Sequence, residues 1–276
     1  MALKLMYITN NPQVAIIAES VGVDRIFVDM EYIGKSCRQG GMDTVQSHHT
    51  FEDIKKISSV LKSSELLVRI NPIHDATDQY CSSKEEIDKA IENGAQIIML
   101  PYFKTVSEVQ RFIDYVAGRV KTMLLIETVE ARNLVDEITD IKGIDEVFIG
   151  LNDLSLGYGK KFMFEILADG TVDELVRVFK RKNIPFGFGG LATLYGGLLP
   201  GNMVLKEHYR LSSSCVILSR SFCNTEKIKN IDEIKNIFKN GVDEIRKFED
   251  SLINFNQFEE NRLEVIEVVN KVVESL

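Results

Sequence analysis

Residues 122–153 read TMLLIETVEARNLVDEITDIKGIDEVFIGLND, and this stretch decides the fold. Two short apolar runs, each ended by polar residues, enclose a segment with helical character. Continuous apolar runs bounded by turn residues are typical of strands buried on both faces, as in a parallel sheet. A helix between two such strands supplies the crossover that parallel pairing requires. The stretch therefore predicts a strand–helix–strand unit with parallel strands.

The same alternation runs through most of the chain. Other apolar runs of this kind are LKLMYIT, RIFVDM, ELLVRIN, QIIMLP, PFGFGGLA and CVILSRSF, and helical patterns separate them. Eight predicted strands with helices between them have the size and order of a (β/α)8 barrel. An open doubly wound sheet is the alternative, but the first turn lacks the GxGxxG pattern that such folds often carry. We therefore expect the α/β class, as a (β/α)8 TIM barrel with extra C-terminal helices.

The chain divides into two expected regions. Residues 1–225 form the catalytic barrel domain, and residues 226–276 form a C-terminal helical extension. The extension has amphipathic helical periodicity and no strand, and it exceeds what one closing barrel helix needs. We expect the surplus to contact a second subunit.

Composition excludes several functional classes. The formal net charge is −8, and no run rich in lysine and arginine is interleaved with aromatic residues, so nucleic-acid binding is not expected. The 4 cysteines are widely spaced without a CxxC pair, which is typical of reduced thiols in a cytoplasmic protein. No apolar run reaches the length of a membrane span or of a signal peptide, so we expect a cytoplasmic protein that does not associate with membranes.

Charged residues follow several predicted strands at the end where barrel enzymes carry out their chemistry. Asp29 and Glu31 follow strand two, Arg69 ends strand three, Glu127 ends strand five, and Asp153 follows strand six. Hard divalent cations prefer oxygen ligands and keep several waters, so one or two carboxylates suffice to hold one. Such a cation can stabilise the enolate of a 2-oxo acid, and an arginine can bind the same oxygens. Alternatively, Glu127 only stabilises the start of the following helix, and Asp153 only caps a turn or a helix.

The segments GVDRIFVDMEY, LLVRINP, GAQIIMLPYFKTVSEV, LLIETVEARNLVDEI and GIDEVFIGLNDLSLGYG resemble the HpcH/HpaI aldolase and citrate lyase β-subunit family. The order and spacing of D-x-E, V-R, I-E-T and G-x-x-D-L-S carry the resemblance, which runs from Gly22 to Gly159. It implies a class II aldolase or acyl-CoA lyase that depends on a divalent metal, Mg²⁺ or Mn²⁺, with Co²⁺ as a further choice. It also implies a 2-oxo acid and an aldehyde as substrates, and a homo-oligomer, either a trimer or a hexamer.

The resemblance implies roles for individual residues. Glu127 and Asp153 are the implied metal ligands. Arg69 is the implied catalytic arginine that stabilises the enolate, and Asp29 and Glu31 match the catalytic D-x-E pair. The implied substrate-binding residues are Arg69, Gly150, Leu151 and Asn152.

One departure from the family pattern concerns the proton carrier. Tyr32 stands where the family's D-x-E normally continues with histidine. Tyrosine titrates near pH 10 and is a poor base at neutrality. His48 and His49, in the loop after the same strand, are therefore candidate catalytic residues, because histidine titrates near pH 7. Alternatively, Thr50 caps the next helix together with Asp53, and the histidines are exposed without a role.

Two further features bear on the substrate. Leu151 stands where the aldolase branch usually has proline, and GLNDLS is nearer to the G-T-N-D-L of phosphoenolpyruvate-using relatives. Lys35 and Arg38 follow the D-x-E pair and form a candidate site for a phosphate or a second carboxylate, or else a solvated charged loop.

The leading hypothesis is a metal-dependent carbon–carbon lyase (aldolase) that acts on a 2-oxo acid through a pyruvate-type enolate. The alternatives are a citrate-lyase-β-like acyl-CoA lyase, and a catalytically degenerate barrel with a binding role. Tyr32 in the histidine position is the main support for the second alternative.

Overall fold

The computed structural model describes residues 2–34, 47 and 49–276. Eight parallel strands each pair with the next, and β1 pairs with β8, so the sheet closes into a barrel. The closure confirms the predicted (β/α)8 fold and excludes the open sheet. The strands are β1 Lys4–Ile8, β2 Arg25–Asp29, β3 Glu65–Arg69, β4 Ile97–Leu100, β5 Lys121–Ile126, β6 Glu146–Ile149, β7 Phe186–Leu191 and β8 Cys215–Leu218.

Helices follow the strands and form the outer layer. Several begin at residues that suit a helix start: Thr50, Ser82 and Thr105 each form a capping box with an acidic residue three positions on. The described helices are α1 Pro12–Ser20, α2 Phe51–Val60, α3 Ser83–Glu92, α4 Val106–Val116, α5 Val129–Asn133, α6 Val135–Ile138, α7 Leu151–Gly157, α8 Glu165–Ala168, α9 Thr171–Lys182, α10 Gly201–Leu211, α11 Ile231–Ser251 and α12 Phe258–Ser275.

The strands bury side chains on both of their faces. One face packs against the helices in a large apolar layer, and the other fills the barrel interior with side chains such as Phe27, Leu67, Met99 and Phe148. This two-sided burial explains why the strand sequences read as nearly continuous apolar runs. The interior is a packed core rather than a channel.

A buried ion pair occupies the amino-terminal end of the barrel. Arg25 is fully buried, and its Nη1 and Nη2 donate to the two carboxylate oxygens of Glu146 over 2.7 and 2.5 Å. Its Nε donates to Glu65 over 3.0 Å. The bidentate geometry satisfies charges that would be costly to bury alone. This end of the barrel therefore serves stability, and the opposite end is left for chemistry.

The two C-terminal helices pack on the barrel of their own chain. Helix α11 packs against α1, and Glu249 accepts a hydrogen bond from the backbone N–H of Leu3 over 2.8 Å. Helix α12 packs against α8 and α10, and the buried Asn261 donates through Nδ2 to Glu207 over 2.8 Å. The extension is helical as expected, and its contact with a second subunit remains a prediction.

Two observations bear on the composition-based expectations. No helix among the described residues is long and apolar enough to cross a membrane. Cys81, Cys215 and Cys223 are free thiols, and Cys37 lies outside the described residues.

Candidate active site

Strand pairing brings the predicted site residues together at the carboxyl-terminal end of the barrel. Asp29, the last residue of β2, lies directly opposite Arg69, the last residue of β3. Ile126 in β5 lies opposite Ile149 in β6. Because Glu127 and Gly150 come next on these two strands, they emerge side by side. The register therefore creates two neighbouring groups on one rim.

The first group is an arginine that is held by two acids and whose side chain is 13% exposed. Nε and Nη2 of Arg69 each donate to one carboxylate oxygen of Asp29 over 2.8 Å, and Nη1 lies 3.4 Å from Oε2 of Glu31. The guanidinium carbon lies 5.5 Å from the centroid of the Phe27 ring. These contacts fix the plane of the guanidinium group at the top of the barrel core.

The charge of Arg69 is secured by its surroundings. Burial by itself lowers the pKa of Arg69, but the neighbouring carboxylates of Asp29, Glu31 and Glu127 more than offset this and raise it above its ordinary value. Arg69 is therefore a permanent cation beside a mostly apolar core, where a developing negative charge interacts with it strongly.

The second group is a pair of largely buried carboxylates. Glu127 is 3% exposed and Asp153 is 9% exposed, and both line a cavity of about 600 Å³. Oε1 of Glu127 accepts the backbone N–H of Tyr102 over 3.0 Å. A Cβ atom at Gly150 would lie only 2.8 Å from Oε2 of the same carboxylate. The glycine therefore leaves room for the Glu127 carboxylate at the point where β6 ends.

Helix capping alone does not account for Glu127. The residue lies before Thr128, which is the N-cap of α5 and accepts the backbone N–H of Ala131 over 3.1 Å. Asp153 lies in the first turn of α7, where an acid is favoured by the helix dipole. Stabilisation of a helix start can therefore explain the position of Asp153 in part. It does not explain Glu127, which lines the shared cavity and does not cap the helix.

The donor set at this cavity fits a hard divalent cation. Two carboxylates from adjacent strand ends can bind Mg²⁺ or Mn²⁺ and leave positions for waters and a substrate. Over residues 2–34, 47 and 49–276, no group of three or more histidine, cysteine or acidic side chains could hold a metal ion. A closed zinc site of four protein ligands is therefore not formed by the described residues.

A second cavity, of about 610 Å³, opens over the arginine group. Arg69, Asp29 and His49 line it from one side, and Asn152 and Arg220 line it from the other. Of the predicted substrate-binding positions, Asn152 therefore faces the arginine cavity.

The other two predicted substrate-binding positions can offer only backbone. The side chain of Leu151 is buried in the core, and the N–H of Gly150 donates to the carbonyl of Ile126 over 3.0 Å. A substrate there would meet main-chain atoms rather than the side chain of Leu151.

His49 is tied directly to the D-x-E segment. Its Nδ1 accepts the backbone N–H of Asp29 over 3.0 Å. A neutral imidazole that accepts through Nδ1 carries its proton on Nε2, so this nitrogen is a hydrogen-bond donor. The capping box of Thr50 and Asp53 is present as well. The cap and a role for His49 are therefore compatible, because His49 precedes the cap and lines the cavity.

Three of the residues singled out in the sequence lie outside the described residues. They are His48, Lys35 and Arg38.

Sequence reasoning missed two residues that shape the site. Tyr102 adopts a left-handed backbone conformation, with φ at 47°, which aims its N–H at Glu127. Asn71 accepts the backbone N–H groups of Tyr32 and Ile33 over 3.0 and 2.9 Å. Asn71 comes two residues after Arg69 in VRINP, and this closeness to a predicted site residue is a signal that could have found it. Nothing in the sequence marks the conformation of Tyr102.

The chain belongs to the HpcH/HpaI aldolase/citrate lyase family, whose model matches residues 4–165. It is therefore a member of a family of lyases, as the sequence motifs indicated. No curated protein sequence matches the chain.

Solved structures share the fold at low sequence identity. An HpcH/HpaI aldolase from Desulfitobacterium hafniense DCB-2 is 18% identical with a TM-score of 0.60, over 84% of this chain and 93% of that one. An HpcH/HpaI aldolase/citrate lyase family protein from Burkholderia cenocepacia J2315 is 14% identical with a TM-score of 0.62, over 84% and 94%. A citrate lyase β subunit from M. tuberculosis, complexed with oxaloacetate and magnesium, is 12% identical with a TM-score of 0.57, over 86% and 97%.

Proposed function

We propose that the chain is a divalent-metal-dependent class II aldolase that forms or cleaves a carbon–carbon bond next to a 2-oxo acid. One observation carries the proposal: the buried carboxylates of Glu127 and Asp153 line one cavity beside a permanently charged Arg69. The magnesium and oxaloacetate of the M. tuberculosis citrate lyase β subunit support a similar pairing of cation and 2-oxo acid here.

The carboxylate pair would hold the metal. Glu127 and Asp153 would bind Mg²⁺ or Mn²⁺, which would supply Lewis-acid stabilisation of negative charge on the substrate oxygens. The hydrogen bond from Tyr102 occupies Oε1 of Glu127 and orients the carboxylate. Groups that orient a ligand in this way tune its metal affinity.

Arg69 would bind and stabilise the substrate. An arginine has five N–H donors, and the contacts with Asp29 and Glu31 leave Arg69 with donors that can reach a substrate oxygen. In aldol addition a proton leaves C3 of the 2-oxo acid, and the electron pair passes to the carbonyl oxygen. C3 then bonds to the aldehyde carbon, and the aldehyde oxygen takes up a proton. Arg69 stabilises the negative charge that develops in the first step.

Histidine rather than Tyr32 would carry the protons of the proposed reaction. Tyr32 remains protonated at neutral pH, because burial and the nearby Glu86 raise its pKa. His49 lines the cavity that contains Arg69, where it would exchange a proton with the aldehyde oxygen. His48 remains a predicted proton acceptor.

Exchange of the pyruvate methyl protons into D₂O tests the proposal, because it requires only enolate formation. We expect ¹H NMR to show loss of the methyl signal when the protein and Mg²⁺ or Mn²⁺ are both present, and no loss after chelation. If Mg²⁺, Mn²⁺ and Co²⁺ all fail to support exchange, the proposal is wrong and a barrel with a binding role is favoured.

An acyl-CoA lyase of the citrate-lyase-β kind is the second candidate. Arg220 and Lys229 line the cavity over Arg69, and basic side chains suit the phosphates of a CoA ester. Parallel assays of pyruvate release from 4-hydroxy-2-oxo acids and of CoA-ester cleavage separate the two candidates.

A further inference from the structure

An aromatic cavity lies beside the arginine cavity. It has a volume of about 400 Å³, which is within the range of cavities that take small organic ligands. It lies between the described residues near the end of β2 and the start of α2 on one side and the loop that precedes α3 on the other. It is lined by Met30, Tyr32, His49, Thr50, Phe51 and Tyr80.

The aromatic side chains of this cavity form a ready surface for a flat apolar group. The rings of Tyr32 and Tyr80 lie 5.5 Å apart at an angle of 42°, and Phe51 begins α2 on another side. Tyr32 is 38% exposed although it is a large ring next to the site. Rings at such distances gain energy from offset or edge contacts with a further aromatic group.

The backbone beneath Tyr32 is held rigidly. Asn71 accepts two backbone N–H groups there, and its Nδ2 donates to the buried Glu86 over 2.8 Å. A side chain on a clamped backbone loses little freedom when a ligand binds. The backbone that carries Tyr32 is therefore held in place by Asn71 without a ligand.

His49 connects this cavity with the proposed reaction centre. The imidazole lines both the aromatic cavity and the cavity that contains Arg69. A molecule whose ring packed against the Tyr32–Tyr80 pair could therefore place a carbonyl oxygen beside His49. That carbonyl would face the rim on which the enolate is proposed to form.

We infer that the aromatic cavity binds the side chain of the aldehyde substrate, and that this side chain is aromatic or a similarly flat apolar group. The inference rests on the proposed aldolase function for the identity of the ligand as a substrate. The cavity itself takes a benzyl-sized group whether or not catalysis occurs. Tyr80 and Tyr32 are the residues that determine this specificity.

Binding of benzyl alcohol, an unreactive analogue of an aromatic aldehyde, tests the cavity by ligand-observed NMR. Tyr80→Ala should weaken binding by roughly three- to tenfold, which is the loss expected for one aromatic contact. Tyr80→Phe keeps the ring and should bind like the parent. Tyr195→Ala, at a tyrosine that is 75% exposed and lines neither cavity, is the matched control and should also bind like the parent.

Aldol addition of pyruvate to benzaldehyde and to acetaldehyde gives the second readout. The parent should prefer benzaldehyde in kcat/KM, and Tyr80→Ala should lose that preference while its exchange of pyruvate protons stays at the parent rate. Equal benzyl alcohol binding by the parent and Tyr80→Ala, or an equal loss in Tyr195→Ala, would overturn the inference. Absence of pyruvate exchange in the parent contradicts the aldolase function instead, and binding still decides the cavity.

Discussion

At the scale of single residues, the site depends on a few contacts that strand register fixes. Asp29 and Arg69 are register partners, so their bidentate bond follows from how β2 pairs with β3. Glu127 and Gly150 are neighbours for the same reason. The sequence allowed us to predict that the charged residues share one rim, because parallel strands end on the same side of a barrel, but it did not give these pairs. It did not allow prediction of Tyr102 or Tyr80, which depend on loop conformations.

The planar guanidinium group of Arg69, with its several N–H donors, should be essential for enolate formation. Arg69→Lys keeps the charge, but a point charge cannot both hold the two oxygens of Asp29 and reach a substrate oxygen. We expect pyruvate proton exchange to fall by roughly 10²-fold, as for the loss of one stabilising donor. Arg181→Lys, at an exposed arginine, is the control and should exchange at the parent rate. Exchange at the parent rate in Arg69→Lys would contradict the role of the guanidinium group.

The absence of a side chain at residue 150 should be needed for metal binding. Its φ is −80°, which any residue adopts, so Gly150→Ala adds a Cβ without backbone strain. That Cβ would lie 2.8 Å from Oε2 of Glu127 and would displace the carboxylate. We expect the Kd for Mn²⁺ to rise roughly ten- to a hundredfold.

A second glycine on the same end of the barrel controls for the added methyl group. At Gly190 a new Cβ would meet its nearest neighbour, in Ser219, at 3.4 Å, which is an ordinary contact. Gly190→Ala should therefore bind Mn²⁺ like the parent. If Gly150→Ala and Gly190→Ala both bind Mn²⁺ as tightly as the parent, the Glu127 carboxylate does not need the space left by Gly150.

At the scale of the elements, β7 and α10 bury a histidine that has no part in the proposed chemistry. The His208 ring stacks on Phe188 at 3.8 Å, and its Nδ1 lies 2.9 Å from Oγ of Ser213. Nε2 has no hydrogen-bond partner among the described residues. Burial lowers the pKa of His208 to about 3. The ring is therefore neutral in the folded protein.

This histidine should make stability depend on pH. The pKa of His208 is lower in the folded state than in the unfolded state, where it is about 6.5. Below that pH the unfolded chain therefore binds a proton at this histidine, and the folded chain does not. The contribution of the neutral His208 to the free energy of unfolding is complete above about pH 6.5 and is lost as the pH falls towards 3. Between these pH values the free energy of unfolding, measured with urea, should fall more steeply in the parent than in His208→Phe. The expected difference is up to about 1.4 kcal/mol per pH unit.

The imidazole signals of the parent protein provide an independent check. The C2–H resonance of His208 should not titrate in folded protein between pH 8 and pH 5, because its pKa is about 3. Titration near pH 6.5, or parallel stability curves for the parent and His208→Phe, would show that this histidine is not held neutral.

The elements themselves were predictable to different degrees. Buried apolar runs such as that of β5 revealed every strand, because strands of a closed barrel are covered on both faces. The region after β6 was less accurate: the pattern FMFEILADGTVDELVRVFKRKN predicts one helix, but the structure divides it into α8 and α9, and α7 precedes it. Bends and turns at residues 161–164 precede α8, and Gly170, with φ at 89°, separates α8 from α9; local apolar periodicity does not show such breaks.

At the scale of the whole molecule, the barrel separates stability from chemistry. The Arg25–Glu146 pair closes the amino-terminal end, and the charged rim occupies the other. The number and order of the apolar runs predicted this architecture, and the resemblance of the sequence motifs indicated the family. The identity of the aldehyde could not be predicted, because the cavities are built by loops whose contacts are far apart in sequence. Tyr32 and Tyr80, for example, meet across two different loops.

The C-terminal extension carries a prediction about assembly. We expect a trimer or hexamer in which α12 contacts a second subunit, with Leu263, 67% exposed, on the contacting face. Leu263→Glu should then lower the mass seen by analytical ultracentrifugation. Ile16→Glu, at an apolar residue of α1 that is 47% exposed, should leave the mass unchanged. A monomeric parent protein would contradict the prediction.

Glu127 and Asp153 are proposed to hold a divalent cation. Measurement of Mn²⁺ binding by electron paramagnetic resonance tests this proposal most directly. Glu127→Gln and Asp153→Asn remove one negative charge each, and Glu130→Gln removes one from the same cavity at an exposed residue that pairs with Lys104. We expect the first two variants to weaken Mn²⁺ binding at least tenfold and the third to bind within about threefold of the parent. Parent-like Mn²⁺ binding by both Glu127→Gln and Asp153→Asn would contradict the account.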